Sequence, residues 1–494
     1  MAGLKDVRDI VRGALASLFG FSGRLVARTM LMIIAARAYG IEALGLLGLI
    51  SAITEVAAGI GILGLKRGLL DLLSHDAENG RLPEARILEA FGVGLSVSFA
   101  IAACVAGALI VYWPEYSNLA PIILITAPMI VFADIALTAV KYKRVIGWDV
   151  AVRGGAEPWG FLALALLFLQ LENGLLWAYT GSYMIAATFA AIGLWRIFGP
   201  AAFLRAKPTL AGMRAIPKRS VPVGISDLGY LAMRRLDLIV FSAFATTEAV
   251  GLYYAVQQIA TIPQRVYSLF EPMMSPVIAR LHNRMNASRI KATLIAVCRW
   301  VLIIQLAITV PMIIYGDHVL GIFGAAYTIG AGVLAIVLIA ELIDGCFMAV
   351  ETPLVFARPK IPPALMAAAL IVEIGAIALL SPTLGVYGAA TGFLLAILCL
   401  CAGRLIMIKK HLQIDVVNVS YIAPIAFAFV VSLGLMTSRS WISYGDSAVI
   451  ILFFVISICV YLLLVRRFAL THSDRVVMRA IFQRRKPSVS PSVS

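Results

Sequence analysis

Long apolar segments recur along the whole chain, separated by short polar connections. Each is about 17–25 residues long, the length an α-helix needs to cross a hydrocarbon layer about 30 Å thick. Strands of a membrane barrel are about half as long and alternate in polarity. The pattern predicts an all-α integral membrane protein with about fourteen transmembrane helices. The predicted spans are 14–36, 44–65, 91–113, 119–140, 155–171, 175–195, 221–243, 249–269, 300–315, 331–350, 363–380, 385–403, 419–436 and 448–465.

The basic residues alternate as expected for a chain that crosses a membrane repeatedly. Cytoplasmic connections collect Lys and Arg, whereas short connections on the other side lack them. Of the 41 Lys and Arg residues, only Arg37 and Arg439 fall in connections predicted to face outward. This distribution predicts that both termini are cytoplasmic. The first apolar segment lacks a small-residue cleavage site, so we expect a retained span and a multi-pass protein of the bacterial inner (plasma) membrane.

Composition supports this prediction and excludes other classes of protein. Hydrophobic residues make up 61% of the chain, charged residues 14%, and the mean hydropathy is +0.96, outside the usual range of soluble proteins. The net charge of +15 is spread over many short loops, so topology and anionic lipid explain it better than nucleic acid does. The sequence has no phosphate-binding loop, paired zinc-ligand histidines or nucleophile-elbow motif. We therefore expect no enzymatic activity, cofactor, metal site or nucleic-acid partner.

The longest cytoplasmic connection and a short internal repeat divide the chain. Five residues of the first helix pair recur with the same spacing in the second half, which predicts two lobes related by a pseudo-two-fold axis along the membrane normal. The matched residues, each 206 positions apart, are Arg28 with Arg234, Glu42 with Glu248, Ala43 with Ala249, Gly45 with Gly251, and Leu46 with Leu252. The predicted parts are an N-terminal six-helix lobe (1–196), a cytoplasmic linker (197–220), a C-terminal six-helix lobe (221–410), helices 13 and 14 (411–466) and a partly disordered cytoplasmic tail (467–494).

Arginines inside the predicted spans are candidates for binding, because a charge at membrane depth usually faces an aqueous cavity. Arg24 and Arg28 share one face of the first span, Arg234 lies in the seventh and Arg265 in the eighth. Guanidinium groups bind phosphate oxygens in a bidentate manner. These four residues therefore predict a cationic cavity for a diphosphate. In the alternative interpretation, Arg234 pairs with Asp237 on its own helix and Arg265 extends toward the cytoplasm.

Acidic residues at membrane depth are candidates for ion or proton coupling. A carboxyl group in apolar surroundings can bind a proton near neutral pH, and two that share a helix face titrate together. Hydrogen bonding between helices is the structural alternative for each of them. The candidates are Asp134, Glu157, Asp237, Glu341, Asp344 and Glu373.

Three short motifs, in this order, resemble the bacterial polysaccharide flippases of the multidrug/oligosaccharidyl-lipid/polysaccharide exporter superfamily. They are EALGL from Glu42, RRLD from Arg234 followed by EAVGLYYA from Glu248, and PMMSP from Pro272. The resemblance covers about residues 14–410. It implies two six-helix lobes in a V around a central cationic cavity and alternating access. The implied substrate is an undecaprenyl-diphosphate-linked oligosaccharide for O-antigen or exopolysaccharide assembly, and a polysaccharide polymerase complex is an implied partner.

Two other branches of that superfamily remain alternatives. Peptidoglycan-precursor (lipid II) flippases typically carry the pattern Ser-Arg-x-x-Gly-x-x-Arg-Asp in the first span, whereas this chain reads GFSGRLVAR from Gly20 to Arg28. Multidrug exporters that are coupled to a cation or to protons usually have twelve spans and less cationic cavities. Fourteen predicted spans with Arg24, Arg28 and Arg234 favour the polysaccharide branch.

Two further alternatives belong to other classes. A membrane glycosyltransferase or polysaccharide polymerase normally carries its catalytic groups on a sizeable outward loop. No predicted outward loop of this chain exceeds about fifteen residues. A non-catalytic assembly partner would have no need of several intramembrane arginines.

Overall fold

The structure, a computed structural model, describes residues 23–145, 147–283, 286–439 and 447–470. Within these ranges the regular elements are helices, and no β-strand occurs. This confirms the predicted all-α fold class. The beginning of the first predicted span and most of the predicted C-terminal tail lie outside the described residues.

Twenty-one α-helices account for most of the described chain. The first twelve are α1 (23–34), α2 (Gly40–Gly61), α3 (Leu65–Glu78), α4 (Pro83–Tyr112), α5 (Ala120–Tyr142), α6 (Gly147–Ala151), α7 (Glu157–Leu167), α8 (Gly174–Phe198), α9 (Pro200–Arg205), α10 (Leu210–Met233), α11 (Leu236–Ser242) and α12 (Thr247–Gln264). The others are α13 (Glu271–Asn283), α14 (Ala287–Ile314), α15 (Gly316–Gly321), α16 (Ala331–Phe347), α17 (Glu351–Ala357), α18 (Ile361–Leu384), α19 (Val386–Leu412), α20 (Ile422–Arg439) and α21 (Ser447–Leu464).

Eleven described segments are long and apolar enough to cross a membrane. One of them, Gly23–Glu78, contains the described part of the first predicted span and the whole of the second. The predicted spans seven and eight are not among the eleven. Span seven is interrupted where α10 ends at Met233 and α11 begins at Leu236. The multi-pass membrane protein is thus confirmed, while the count of fourteen helices stays a prediction.

The apolar residues on the outside of these helices explain why the chain needs a lipid environment. On α18, Ile371 and Leu379 are 72% and 78% exposed, while Glu373 on the same helix is fully buried. This inverts the pattern of a helix on a soluble protein, which exposes its polar face. The exposed apolar faces therefore match a hydrocarbon solvent, and the polar groups are gathered inside the helix bundle.

The described chain divides into two compact units. The first comprises the described parts of Met1–Ile259, together with Val319–Val337 and Pro359–Leu400. The second comprises Ala260–His318, Leu338–Arg358 and the described part of Cys401–Ser494. In the first unit α5 packs extensively on α4 and α8, and in the second α14 packs on α20 and α21. The predicted division into lobes, linker and tail stays a prediction.

Inside the first unit, α2 and α12 cross with their backbones in contact. A Cβ atom at Gly45 would lie 2.1 Å from the carbonyl oxygen of Thr247, and one at Gly251 would lie 2.0 Å from that of Ile41. Only glycine permits such an approach. The contact is reciprocal under the predicted repeat, because Thr247 and Gly251 correspond to Ile41 and Gly45, each 206 positions earlier. The EALGL and EAVGL motifs therefore meet each other across this crossing.

A buried ionic cluster joins the start of α10 to the α3–α4 hairpin. Glu89 is fully buried, and its Oε1 accepts hydrogen bonds from Arg81 Nη2 at 2.5 Å and from the Thr209 amide at 2.8 Å. Thr209 caps α10, because its hydroxyl accepts from the Gly212 amide at 3.0 Å. Arg86 lies 3.1 Å from Glu89 Oε2 and donates two hydrogen bonds to Asp76. The segment predicted as a linker thus begins a helix that is anchored by charge.

Candidate functional site

The first unit contains an open cavity with about 240 Å³ of space for water. Helices α1, α2, α5, α7 and α8 supply most of its lining. The rest comes from α3, the turn before α7, the α10–α11 break and α12. Eight charged side chains line it, five of them basic and three acidic. They are Arg24, Arg28, Lys66, Arg153, Arg235, Glu55, Asp134 and Glu157.

A local distortion of the helical chain brings two of these charges to the cavity. Residues Val152–Ala156 form a π-helical turn between α6 and α7, and this turn contains Gly154 and Gly155. Such turns are rare and are frequent at functional sites. The turn carries Arg153, and Glu157 follows it directly as the first residue of α7. Both side chains therefore reach the same cavity from adjoining turns of one segment.

Three of the basic residues are ion-paired with two of the acids. Lys66 Nζ lies 2.8 Å from Asp134 Oδ2, and Arg153 is paired with the other carboxylate oxygen of Asp134. Arg235 donates from Nε to Glu55 Oε2 at 2.8 Å. Asp134 is only 5% exposed, so these two cations offset most of the free-energy cost of burying its charge.

Arg24 and Arg28 are the two remaining basic residues of the cavity. Both are half-buried on α1, one helical turn apart. Neither makes a hydrogen bond or a close ion pair with any other residue that the structure describes. The third acid of the cavity, Glu157, interacts with both electrostatically. With five basic and three acidic groups the cavity is formally cationic by two charges. One excess charge arises because Lys66 and Arg153 share Asp134, and the other because Arg24 and Arg28 face the single carboxylate of Glu157.

A second polar cluster in the first unit is built around Asp237. This fully buried carboxylate accepts hydrogen bonds from its neighbour's amide in Leu238, from Tyr253 Oη at 3.0 Å and from Gln257. Glu373 of α18 is also fully buried and interacts electrostatically with Asp237. Among the described residues, no group donates a hydrogen bond to either carboxylate oxygen of Glu373. Two buried acids therefore share this region with one set of hydrogen-bond donors.

Arg234 lies in the first unit but not in the lining of the cavity. Its guanidinium carbon is 5.5 Å from the centre of the Tyr230 ring and 5.7 Å from that of Phe393, within the range of cation–π interaction. The adjacent Arg235 lines the cavity in its place.

The other predicted site residues belong to the second unit. Asp344 accepts a hydrogen bond of 2.8 Å from Arg404, a fully buried residue that also donates to Glu351 at 2.6 Å. Glu341 and Arg265 lie in the same unit. Asp344 therefore has a structural partner, as the hydrogen-bonding alternative predicted for these acids. No cluster of three metal-ligating side chains occurs in the described ranges.

Of the ten predicted site residues, the structure brings Arg24, Arg28, Asp134 and Glu157 into one cavity. Sequence reasoning missed other charges that line it, chiefly Lys66 and Arg153, because each lies just outside a predicted span. The double glycine after Arg153 was the available signal, since it marks a disturbance of the helix.

Comparison with protein families gives one match over more than half of the chain. The family model described as polysaccharide biosynthesis protein matches residues 10–282. No curated protein matches the sequence significantly.

Solved structures of similar fold were also found. The lipid II flippase MurJ in an inward closed conformation has a TM-score of 0.69 and 14% identity, covering 95% of this chain and 100% of its own. An inward-facing multidrug resistance MATE family transporter of the MOP superfamily has a TM-score of 0.62 and 13% identity, covering 80% and 98%. A MOP superfamily transporter from Pyrococcus furiosus Vc1 (DSM3638), described by the reverse polarity of its binding pocket, has a TM-score of 0.54 and 14% identity, covering 82% and 95%. At these identities the comparisons establish a shared fold.

Proposed function

The chain belongs to the polysaccharide biosynthesis protein family and has a MurJ/MATE-like fold, and on this premise we propose that it is a lipid-linked oligosaccharide flippase. It would move undecaprenyl-diphosphate-linked oligosaccharide repeat units across the bacterial inner membrane by alternating access. The repeat units would serve the assembly of a surface polysaccharide. In this orientation both termini are cytoplasmic, as the distribution of basic residues predicts.

The observation that carries this proposal is the Arg24–Arg28 pair. Two guanidinium groups face a cavity in which the other basic residues are already paired with carboxylates. The excess of two positive charges over the whole cavity matches the charge of a diphosphate diester. A charge-assisted hydrogen bond contributes about 1.5–3 kcal/mol, so each arginine should strengthen binding by roughly 10- to 100-fold. The polyprenyl chain would remain in the lipid, against the exposed apolar helix faces.

The same observation disfavours the multidrug-exporter alternative. A cationic drug entering this cavity would meet Arg24 and Arg28, whose charges repel it. Asp134 and Glu55 are occupied by ion pairs, and Glu157 already interacts electrostatically with both arginines. Neutralising the cavity for a cation would require breaking buried pairs, which is costly. An anionic ligand needs no such rearrangement. Participation of Arg234 and Arg265 in substrate binding stays a prediction.

Directional transport needs an energy source, and we propose that Asp237 and Glu373 supply the coupling. Two buried carboxyl groups close to each other do not both remain charged readily, so they bind a proton or a monovalent cation together. A charge that moves through 100 mV yields about 2.3 kcal/mol. In proteoliposomes, Glu373→Gln should abolish the response of transport to an imposed proton or sodium gradient while leaving equilibrium substrate binding unchanged. Gradient-driven transport at the wild-type rate in this variant would exclude the pair as the coupling site.

The proposal is tested with the purified protein in proteoliposomes. A fluorescent undecaprenyl-diphosphate oligosaccharide reports both equilibrium binding and flipping, the latter through protection from a membrane-impermeant quencher. We expect Arg24→Gln and Arg28→Gln each to weaken binding by roughly 10- to 100-fold and to slow flipping accordingly. Arg205→Gln is the matched control, because Arg205 is an exposed residue of α9 that undergoes the same charge change away from the cavity.

Three results would contradict the proposal. If the wild-type protein fails to bind the labelled lipid but binds and exports lipophilic cations, the protein belongs to the multidrug branch. Arg24→Gln and Arg28→Gln variants that bind and flip the lipid as well as Arg205→Gln does would remove the arginine pair from the site. Binding of lipid II in preference to every other lipid-linked oligosaccharide would favour the peptidoglycan-precursor branch.

A further inference from the structure

Basic and aromatic side chains meet at the ends of α5 and α8, on the side that the distribution of basic residues predicts to be cytoplasmic. Lys143 follows α5, and its Nζ lies 5.4 Å from the centre of the Phe198 ring at the end of α8. The guanidinium carbon of Arg196 lies 5.9 Å from the centre of the Trp148 ring of α6. Both distances are in the range of cation–π interaction. The ring of Phe203 on α9 lies 5.9 Å from that of Phe198. We call these five residues the α8–α9 corner.

Local features of the chain give the corner its shape. Gly193 lets the Trp148 ring pack directly on α8, since a Cβ atom at Gly193 would lie 2.9 Å from that ring. Arg196 follows Gly193 by three residues, so its side chain extends from the same helix face over the ring. Gly199, with a φ of +78°, ends α8 in a conformation that favours glycine and turns the chain into α9. Helix α9 packs on α8 and α4, so the fold presents these cations on one surface.

The corner and the chain beside it carry positive charge without acidic partners. Asp149 is the only acid in residues 141–156, and none occurs in residues 196–207. The carboxylate of Asp149 is already paired with Lys141 at 3.0 Å and with Arg153 at 3.1 Å. Five exposed cations form no ion pair with any residue that the structure describes, namely Lys143, Arg144, Arg196, Arg205 and Lys207. This surface therefore attracts an anion from outside the protein.

Exposed apolar side chains beside the cations indicate that the anion belongs to a lipid. Trp195 precedes Arg196 and is 64% exposed, and Leu204 on α9 is 87% exposed. Tryptophan favours the interface between lipid and water, and segments that combine exposed apolar groups with Lys and Arg lie in that interface. A soluble anion such as free phosphate would make no use of Trp195 and Leu204. An anionic phospholipid of the cytoplasmic leaflet supplies a phosphate for the cations and acyl chains for these apolar groups.

We propose that the α8–α9 corner binds one anionic phospholipid of the cytoplasmic leaflet. Lys143 and Arg196 donate to the headgroup phosphate, the aromatic rings of the corner hold these two cations in position, and Trp195 and Leu204 contact the acyl chains. None of these residues lines the cavity, so this lipid is a second ligand and not the transported substrate. The bound lipid holds the connection between α8 and α10 at the membrane surface.

The test uses the purified full chain and native mass spectrometry, which resolves individual bound lipids. Dioleoyl phosphatidylglycerol is compared with dioleoyl phosphatidylcholine, because the two lipids share their acyl chains and differ in net charge. The variants are Lys143→Gln, Arg196→Gln and the two combined. Arg466→Gln combined with Arg467→Gln is the matched control, since these exposed arginines belong to the second unit and the pair loses the same charge.

We expect the wild-type protein to retain one phosphatidylglycerol molecule in preference to phosphatidylcholine. A basic residue at an anionic membrane surface strengthens binding about fivefold, so each single variant should weaken phosphatidylglycerol binding about fivefold and the double variant about 25-fold. Phe198→Leu keeps every charge but loses the ring against Lys143, and it should weaken phosphatidylglycerol binding about two- to fivefold. The control pair should leave this affinity unchanged.

Three outcomes would overturn the phospholipid site. If the wild-type protein binds phosphatidylglycerol and phosphatidylcholine equally, the corner does not recognise the charge of the lipid. If the control pair loses as much phosphatidylglycerol binding as the double variant of the corner, general electrostatic attraction explains the binding. If glycerol 3-phosphate competes as effectively as phosphatidylglycerol, the site takes a soluble phosphate and the assignment to a lipid is wrong.

The substrate-binding assay separates this proposal from the proposed flippase function. In phosphatidylcholine, the variant with both Lys143→Gln and Arg196→Gln should bind the undecaprenyl-diphosphate oligosaccharide as the wild-type protein does. If this variant loses the oligosaccharide as strongly as it loses phosphatidylglycerol, the corner belongs to the substrate pathway and the phospholipid site is overturned. If the wild-type protein binds no lipid-linked oligosaccharide but still selects phosphatidylglycerol at the corner, the proposed function fails and the phospholipid site stands.

Discussion

Replacement of Glu89 tests whether charge anchors α10 to the α3–α4 hairpin. The carboxylate is fully buried and accepts hydrogen bonds from Arg81 and from the amide and hydroxyl of Thr209. It also forms an ion pair with Arg86. Helix α4 has 30 residues and is therefore about 45 Å long, longer than the hydrocarbon layer. The predicted span 91–113 puts the excess at its first turns, which include Glu89. Glu89→Gln keeps an acceptor for Thr209 but removes the charge that faces the two arginines.

The magnitude follows from this set of contacts. Truncating one partner of a buried ion pair costs about 3–5 kcal/mol, which we expect for Glu89→Ala. Hydrogen bonds to an ionised group are about twice as strong as neutral ones, so Glu89→Gln should lose about 2 kcal/mol. Asp76 limits the loss, since it already receives two hydrogen bonds from Arg86.

Denaturant unfolding in detergent micelles, followed by tryptophan fluorescence, measures the free energy of unfolding. Hydrogen exchange at the first turn of α10 supplies a local measurement, because the Thr209 cap should loosen there first. Asp71→Asn is the control, since Asp71 is an exposed acid on α3 that loses the same charge. If Glu89→Gln unfolds at the same denaturant concentration as Asp71→Asn, and α10 exchanges no faster, the reasoning is refuted.

Two further changes test the packing of each unit. Gly45→Val should lower the free energy of unfolding by at least about 3 kcal/mol, because its Cβ would overlap the Thr247 carbonyl. Gly107 has open space around it, so Gly107→Val should lower that free energy far less in the same unfolding assay. Arg404→Met should cost about 3–5 kcal/mol by leaving the buried Asp344 without its cation. Adding Asp344→Asn should restore part of that loss, and a double variant no more stable than Arg404→Met would contradict the pairing.

The adjacent residues Arg234 and Arg235 show where extrapolation along one helix fails. Arg234 corresponds to Arg28 in the internal repeat, so on a continuous helix we would expect Arg234 to line the cavity as Arg28 does. The structure ends α10 at Met233 and starts α11 at Leu236, so the helical phase changes between the two arginines. Arg235 then pairs with Glu55 at the cavity, and Arg234 lies near Tyr230 and Phe393.

The helical, membrane-spanning architecture follows from the sequence alone, because backbone hydrogen bonding in lipid leaves a long apolar segment little choice but a helix. The sequence also marks Arg24, Arg28 and Glu157 as charges at membrane depth. Which charges pair with one another depends on the tertiary structure, since Lys66, Asp134 and Arg153 come from separate segments whose relative rotation no local pattern specifies. The positive charge that remains in the cavity depends on that pairing, and no single segment of the chain contains it.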